Sequence, residues 1–173
     1  MLRLRPLRPE DESAFRAGHD AMAAEGFMFG LGYSPDMDFE DYLKQLDDHR
    51  AGINLPERFV PSTFLVAEVA RAGRVGPEIV GRTSIRHQLN DFLLEEGGHV
   101  GYGVLPASRR RGYATEILRQ SLIVARSIGI DQVLVTCDDD NIGSIKAIEA
   151  CGGRLENVVV SEAGAPRRRY WID

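Results

Sequence analysis

The sequence lacks any long uninterrupted apolar segment. No apolar run in its 173 residues approaches the roughly 20 residues that a membrane-spanning helix needs. The opening residues, Met1-Leu2-Arg3-Leu4-Arg5-Pro6, also lack the apolar core of a signal peptide. We therefore expect no membrane segment and a cytoplasmic location.

Cysteine is scarce as well, with only Cys137 and Cys151. Their separation matches no metal-ligand pattern, so we expect packed free thiols in a reducing compartment. The run Asp138-Asp139-Asp140 lacks the alternate ligands and central glycine of a calcium loop. We interpret it as a solvated turn that caps a helix, and the sequence predicts no metal site.

The chain has no excess of positive charge, because its formal net charge is −5. General basicity, the usual basis of nucleic-acid binding, is therefore absent. The arginine triplets at 109–111 and 167–169 are local exceptions, and they leave a nucleic-acid-binding module as one alternative function. Length and a 43% hydrophobic content predict a single globular domain over residues 1–173.

The order of local patterns predicts a mixed α/β (α+β) fold, with helices on both faces of a central sheet. Apolar, β-branched runs predict strands, and 3.6-residue periodicity between capping residues predicts helices. The predicted strands are 2–5, 63–69, 78–85, 99–104, 131–137, 154–160 and 168–172. The predicted helices are 15–24, one after Asp38, one from Gly112 to Gly129 and one from Asn141 to Gly152, with a hairpin turn at 71–77 and loops at 26–35 and 86–98.

The stretch 104–115 contains the chain's most informative pattern: a strand end, a proline, a basic glycine-containing turn and a helix start. The first turn of a helix offers free backbone N–H groups and the positive end of the helix dipole. Gly112 and Ala114 would let a phosphate approach that backbone, and the arginines would pair with its charge. This pattern predicts a diphosphate-binding helix N-terminus.

The same residues, Arg109-Arg110-Arg111-Gly112-Tyr113-Ala114, resemble the acyl-CoA motif Q/R-x-x-G-x-G/A of the GNAT N-acetyltransferases. The resemblance implies a GNAT-like, mostly antiparallel sheet of six to seven strands with a splayed parallel pair at the cofactor site. It also implies acetyl-CoA as cosubstrate and transfer of its acetyl group to a primary amine in a ternary complex. The implied cofactor-binding residues are Val104, Arg109, Arg110, Arg111, Gly112, Tyr113, Ala114, Thr115, Asn141 and Ser144.

A second part of the resemblance lies at Asn141-x-x-Ser144, which is similar to the family's Asn-x-x-Ala/Ser-x-x-x-Tyr-x-x-x-Gly motif. Asn141 could cap the helix, contact the cofactor arm, or do both. Ile148 stands where many relatives have a tyrosine that can protonate the leaving thiolate. Another group or water must do so here, and this departure keeps a non-catalytic acyl-CoA-binding or sensing domain as an alternative.

Two glycines, Gly101 and Gly103, lie within the predicted strand before the turn. They weaken a strand unless something approaches its backbone. The resemblance implies that the pantetheine arm lies in a gap beside this strand, whereas a β-bulge without a ligand is the alternative. A backbone N–H near Val104 could stabilise the charge that builds on the reacting carbonyl oxygen.

The catalytic candidates are less sharply defined. His99 lies on the strand that often carries the base in the family, but side-chain alternation places it on the opposite face unless a bulge intervenes. Its alternative is a hydrogen-bonded structural role. Tyr102 has the favoured parity and could touch acceptor or cofactor, or serve as a core aromatic. Together with Asn141 these are the predicted catalytic residues, and the other candidate bases are Glu68, His87, Glu95 and Glu96.

The sequence leaves the acceptor open as a small-molecule or peptide amine, although the acidic balance favours a cationic one. By the resemblance, aromatics between the first two strands (Phe27, Phe29 and Tyr33) could wall the acceptor pocket or pack in the core. Arg168 and Tyr170 should share one face of the last strand, either contacting an acidic acceptor or partner or lying solvated at an edge. The resemblance also makes a homodimer possible.

Overall fold

The computed structural model describes residues 1–70 and 76–173. Its strands are β1 (Leu2–Arg5), β2 (Ser62–Val69), β3 (Glu78–Arg86), β4 (Val100–Val104), β5 (Val133–Asp138), β6 (Arg154–Val160) and β7 (Pro166–Ile172). Its α-helices are α1 (Glu12–Ala23), α2 (Phe39–Ala51), α3 (Tyr113–Ser127) and α4 (Ile142–Ala150). Short helical turns occupy Pro9–Asp11, Leu93–Gly97 and Pro106–Ser108.

The strands form two antiparallel sheets, ordered β1-β2-β3-β4 and β5-β7-β6. The sheets meet where the His99 N–H donates to the Leu134 carbonyl across 2.7 Å. Gly98 permits this approach, because a Cβ there would lie 2.7 Å from the Leu134 oxygen. Strands β4 and β5 are otherwise not paired with each other, which confirms the mixed, mostly antiparallel fold with its splay.

Helices cover both faces of the sheet, because successive side chains of each strand point to opposite faces. On β2, Phe64 and Val66 pack in a cluster with residues of α1 and α2. Leu65 of the same strand instead joins a cluster that includes residues of α3 and α4. The first cluster is strongly aromatic and contains Phe15, Phe29, Phe39, Tyr42 and Phe64.

Helix boundaries follow the capping signals in the sequence. The Asp38 side chain accepts from the backbone N–H groups of Glu40 and Asp41, across 2.9 and 3.2 Å, and so begins α2. Gly129, with φ 88°, follows the end of α3 in the left-handed conformation that favours glycine. Both features agree with the predicted positions.

The structure departs from the predicted order in the segment before β4. A loop was predicted at 86–98, but residues 93–97 form a helical turn. The Asn90 side chain caps the start of this turn, because it accepts from the Leu93 N–H across 2.9 Å. Most of the predicted hairpin turn at 71–77 lies outside the described residues. In the part of the chain described, no helix is long and apolar enough to cross a membrane.

The last strand is not an edge strand, so the interpretation of Arg168 as a solvated residue at a sheet edge was wrong. Strand β7 lies between β5 and β6. Arg168 does share a face with Tyr170, whose hydroxyl lies 3.4 Å away. Arg168 also pairs with Asp139 at 2.7 Å, and Arg167 pairs with Asp138 at 3.0 Å. The aspartate run therefore holds part of the second arginine triplet, which is not a free basic patch.

Candidate active site

The turn between β4 and α3 leaves backbone N–H groups free. Gly112, at φ 78°, precedes the helix and provides no side-chain cap. The first bond within the helix is donated by the Glu116 N–H to the Gly112 carbonyl at 3.2 Å. The N–H groups of the three preceding residues, 113–115, are therefore available to a ligand. Arg110 also has a positive φ of 61°, which is rare for a residue other than glycine and typical of functional turns.

This turn opens into a cavity of about 660 Å³. The cavity is lined by the turn, by the C-terminal part of β4 and by the start of α4. Predicted site residues that line it are Tyr102, Val104, Arg109, Arg110, Gly112, Tyr113, Ala114, Thr115, Asn141 and Ser144. His99 and Arg111 were also predicted, but they are not among the described lining residues.

Other lining residues were missed by the sequence reasoning. Met22, Glu25 and Phe27 come from the end of α1 and the loop after it, and only Phe27 carried a signal, as one of the loop aromatics. Glu25 is the one carboxylate among the described lining residues, and it pairs with Arg109 at 2.5 Å. Gly103 also lines the cavity, in keeping with the expectation that something approaches the backbone of this strand. The remaining missed residues are Ser108, Gly143, Lys146 and Ala147.

The outer side of β4 presents backbone groups to the gap between the two sheets. The Leu105 N–H donates to the Val80 carbonyl across 2.9 Å, so the alternate residues Gly103 and Gly101 also direct their backbone towards β3. The backbone groups of Tyr102 and Val104 consequently face away from β3. In agreement, the Val104 carbonyl accepts from the Arg109 side chain across 3.2 Å.

Tyr102 carries a hydroxyl group to the α4 side of the cavity. That hydroxyl is buried beside Ser144 and makes no hydrogen bond of normal geometry. Burial raises the pKa of Tyr102 to about 12, so the phenol keeps its proton at neutral pH. It can therefore donate a hydrogen bond to a ligand atom in the cavity.

The start of α4 is capped by its own sequence. The Asn141 side-chain oxygen accepts from the Ser144 N–H across 3.0 Å, which is the capping role considered for this residue. Ile148 is fully buried in the core and presents no polar group. Cys151 packs against the same core, and Cys137 is buried, with burial raising the pKa of its thiol to about 11.

His99 joins the two sheets instead of lining the cavity. Its Nδ1 accepts from the Leu134 N–H across 2.9 Å, and its ring meets that of Trp171 edge to face. Burial, assisted by the nearby positive charge of Arg86, lowers its pKa to about 4. The ring is therefore neutral at pH 7, and these contacts favour the structural role.

The other candidate bases also have partners elsewhere. Glu68 forms ion pairs with Arg3 and Arg5 on β1. His87 lies 2.9 Å from the Thr63 hydroxyl, and Glu96 accepts from the Glu162 N–H. None of them is a described lining residue of the cavity, and neither is Glu95.

Comparisons with known proteins bear on this geometry. The family model described as acetyltransferase (GNAT) domain matches residues 1–154. No curated protein sequence matches the chain significantly. Solved structures that match include mutant forms of the spermidine/spermine N-acetyltransferase SpeG from Vibrio cholerae, at 17% identity and a TM-score of 0.66, covering 99% of this chain and 92% of that one.

Two further solved structures show the same fold. The microcin C7 self-immunity acetyltransferase MccE, in complex with acetyl-CoA and AMP, has 15% identity and a TM-score of 0.64, with 98% of this chain and 91% of that one covered. An N-acetyltransferase from Staphylococcus aureus Mu50 has 13% identity and a TM-score of 0.63, with 100% and 98% covered. With the family model matching most of its length, the chain belongs to the GNAT acetyltransferase family.

Proposed function

We propose that this protein transfers the acetyl group of acetyl-CoA, its family's cosubstrate, to a primary amine by direct attack in a ternary complex. One observation carries the proposal. The uncapped N-terminus of α3 and the backbone-lined gap beside β4 open into the same cavity. A diphosphate and an extended acyl arm need these two features side by side.

The residues around the turn suit the diphosphate. The N–H groups of residues 113–115 supply donors, and Gly112 adds no side chain that would obstruct them. Arg109, Arg110 and Lys146 add positive charge to the same cavity. Arg110 contributes in a second way, because its positive φ helps to turn the backbone towards the helix start.

The thioester supplies an activated acetyl group with a thiolate as its leaving group. The backbone of Val104, which faces away from β3, is positioned to donate its N–H to the carbonyl oxygen as negative charge builds there. We assign the Tyr102 hydroxyl to the leaving sulfur, because it is buried, protonated and without a good partner beside Ser144. It would supply the proton that Ile148 cannot, while Asn141 keeps the start of α4 in place.

The amine must lose a proton before it attacks. No histidine is among the lining residues in the described ranges, and Glu25 is already paired with Arg109. We therefore assign the first proton acceptor to water entering the cavity. This assignment predicts that turnover rises with pH towards the pKa of the acceptor amine, without a separate ionisation near pH 6.5 from a histidine.

The test is release of free thiol from acetyl-CoA with a panel of primary amines, together with acetyl-CoA binding by calorimetry. Arg110→Glu should weaken acetyl-CoA binding at least tenfold, because it places negative charge against the diphosphate. Arg50→Glu makes the same charge change on the exposed surface of α2 and should bind acetyl-CoA like the native protein. Failure of the native protein to bind acetyl-CoA would refute the proposal.

A non-catalytic acyl-CoA-binding domain is the second candidate. The observation that favours it is Ile148, buried in the core where the motif has a tyrosine. The same experiment separates the two functions, because a binding domain would hold acetyl-CoA and depend on Arg110 but release no thiol with any amine. The cytoplasmic location, the single domain over 1–173 and a homodimer stay predictions.

A further inference from the structure

Arg82 lies on β3 beneath the loop that follows α1, and it is a buried cation without an anion. It is 6% exposed. Its guanidinium donates to the Gly101 carbonyl across 2.9 Å and to the Met28 carbonyl across 2.6 Å, while its Nε has no partner. No carboxylate of the described residues lies within ion-pairing distance of it. A buried charge is usually paired, so this arrangement is unusual.

Arg86 lies four residues further along β3, on the same face, and repeats the pattern. Among the described residues its guanidinium donates one hydrogen bond, to the Gly97 carbonyl at 3.4 Å, although a guanidinium has five N–H donors. The described residues place no carboxylate in an ion pair with it either. Unlike Arg82, it is only partly buried, so part of its side chain is exposed to solvent. Burial and the nearby Arg167 lower the pKa of Arg86 to about 10, which still leaves it charged at pH 7.

Ser84 stands between the two arginines on the same face of β3, since its position has the same parity. It is 1% exposed, and its hydroxyl has no hydrogen-bond partner. The face therefore combines two unpaired guanidinium groups with one unsatisfied hydroxyl. These are groups that bind carboxylates.

The neighbouring part of β4 connects this face to the cavity. Gly101 and Gly103 pair with Ser84 and Arg82, and they place no side chain on the strand. A Cβ at Gly101 would lie 2.9 Å from the Arg86 guanidinium. Gly103 and Phe27 also line the cavity, and Phe27 lies 4.8 Å from the Arg82 guanidinium. The two arginines, Ser84 and Gly101 are not described lining residues of the cavity, and Gly103 and Phe27 are the residues at which this face adjoins it.

We propose that the acceptor amine also carries a carboxylate, as an amino acid does, and that Arg86 binds this carboxylate on the β3 face beside Gly101. Arg82 adds buried positive charge behind it, and the buried Ser84 hydroxyl lies on the same face between the two arginines. The proposal rests on the proposed acetyl transfer. It replaces the cationic acceptor that the acidic composition favours, because the local charge at the site is positive and outweighs a distant net charge.

The experiment uses matched pairs of compounds that differ only in the carboxylate: phenylalanine with 2-phenylethylamine, methionine with 3-(methylthio)propylamine, and leucine with 3-methylbutylamine. Their binding to the protein saturated with CoA is measured by calorimetry, which does not depend on turnover. For at least one pair, the carboxylate-bearing member should bind roughly tenfold or more tightly, as expected of a charge-assisted hydrogen bond. In assays of thiol release from acetyl-CoA, the KM for the carboxylate-bearing acceptor should be correspondingly lower than the KM for its partner amine.

Variants locate the effect. Arg86→Gln should remove the preference by weakening only the carboxylate-bearing member, and Arg86→Lys should retain part of it because the charge remains. Arg126→Gln, on the exposed side of α3, should leave the preference unchanged. CoA binding, measured on every variant, shows that the fold and the cofactor site are intact.

The inference is overturned if the amine without a carboxylate binds as well in every pair, if the preference survives Arg86→Gln, or if no compound binds. Each of these results differs from failure of the proposed function, in which acetyl-CoA would not bind or would release no thiol with any amine. Thiol release with plain amines alone would leave the acetyl transfer standing and remove the carboxylate from the acceptor.

Discussion

Arg5 and Arg82 are equally buried, at 7% and 6% exposure, yet their surroundings are opposite. Arg5 donates two hydrogen bonds to the Asp11 carboxylate, at 2.6 and 2.8 Å, and another to Glu68. Arg82 donates only to carbonyl oxygens, and the aromatic rings of Phe27 and Phe64 pack near its guanidinium. The first arginine is neutralised within the fold, whereas the second keeps a buried charge that no carboxylate of the described residues neutralises.

The ionisation behaviour of the two regions differs accordingly. Burial is the largest single influence on the pKa values of Asp11 and Glu68 and would raise them. The hydrogen bonds and charge of Arg5, together with those of Arg8 at Asp11 and of Arg3 at Glu68, outweigh burial and hold both pKa values below their usual range. At Arg82, burial dominates and lowers the pKa to about 9, and repulsion from Arg86 acts in the same direction. A bound carboxylate would reverse that shift. Arg5, Asp11 and Glu68, the Arg5 cluster, already pair their charges without a ligand.

Arg5→Leu should therefore have the largest effect on stability. It leaves the Asp11 and Glu68 carboxylates buried without their shared partner, which costs about 3 kcal/mol of unfolding free energy at pH 7. Since both folded-state pKa values are depressed, the stabilisation is present above the unfolded pKa values and is lost as pH falls through the folded ones. Urea unfolding should show the difference from the native protein shrinking below about pH 4.

Arg50→Leu is the matched control, because Arg50 pairs with Asp47 on the exposed surface of α2. This substitution should lower the free energy of unfolding by less than about 0.5 kcal/mol, both at pH 7 and below about pH 4. If the two variants lost similar stability, the Arg5 cluster would have no special structural role.

Tyr102→Phe tests another unpartnered polar group, the hydroxyl beside Ser144. The ring and its packing remain, so stability and acetyl-CoA affinity should stay close to native. Loss of the proton donor should lower kcat by about 100-fold. Single-turnover and steady-state thiol release measure the effect, and a compound with a better leaving thiol should recover part of it. A native kcat would show that water protonates the sulfur.

The turn side of the candidate site could be predicted from sequence because its residues are contiguous, so strand, turn and helix signals locate it. Local signals place Asn141 and Ser144 only at the start of another helix, and it was the resemblance to the GNAT motifs that grouped them with the turn, whose cavity they line. Arg111 is the exception within the turn: consecutive side chains leave a tight turn in different directions, and this one does not line the cavity.

The acceptor side could not be predicted in the same way, because it depends on contacts between distant residues. The role of His99 is decided by Leu134 on another sheet. Nothing adjacent to Arg82 or Arg86 in the sequence reveals that no carboxylate packs against them. The residues of α1 that line the cavity carry an ordinary amphipathic pattern, which predicts a buried face but not what lies beside it.

Arg110→Asn examines a third environment for arginine, the exposed turn before α3. Asparagine tolerates the left-handed conformation that Arg110 adopts at φ 61°, so the fold should keep its stability within about 0.5 kcal/mol. Acetyl-CoA affinity should fall roughly tenfold, because one charge-assisted contact is lost. Calorimetry and urea unfolding separate the two quantities. A large loss of stability with native affinity would assign Arg110 to the fold instead of the ligand.

Arg82→Met should cost far less stability than Arg5→Leu, although the two side chains are equally buried. Methionine fills similar volume and removes a desolvated charge, which offsets the loss of the hydrogen bonds to Gly101 and Met28. Urea unfolding at pH 7 should give a free energy within about 1 kcal/mol of the native value. A loss of about 3 kcal/mol, equal to that expected for Arg5→Leu, would show that Arg82 has a structural role. The carbonyl and aromatic contacts would then stabilise the buried charge of Arg82 as well as two carboxylates stabilise that of Arg5.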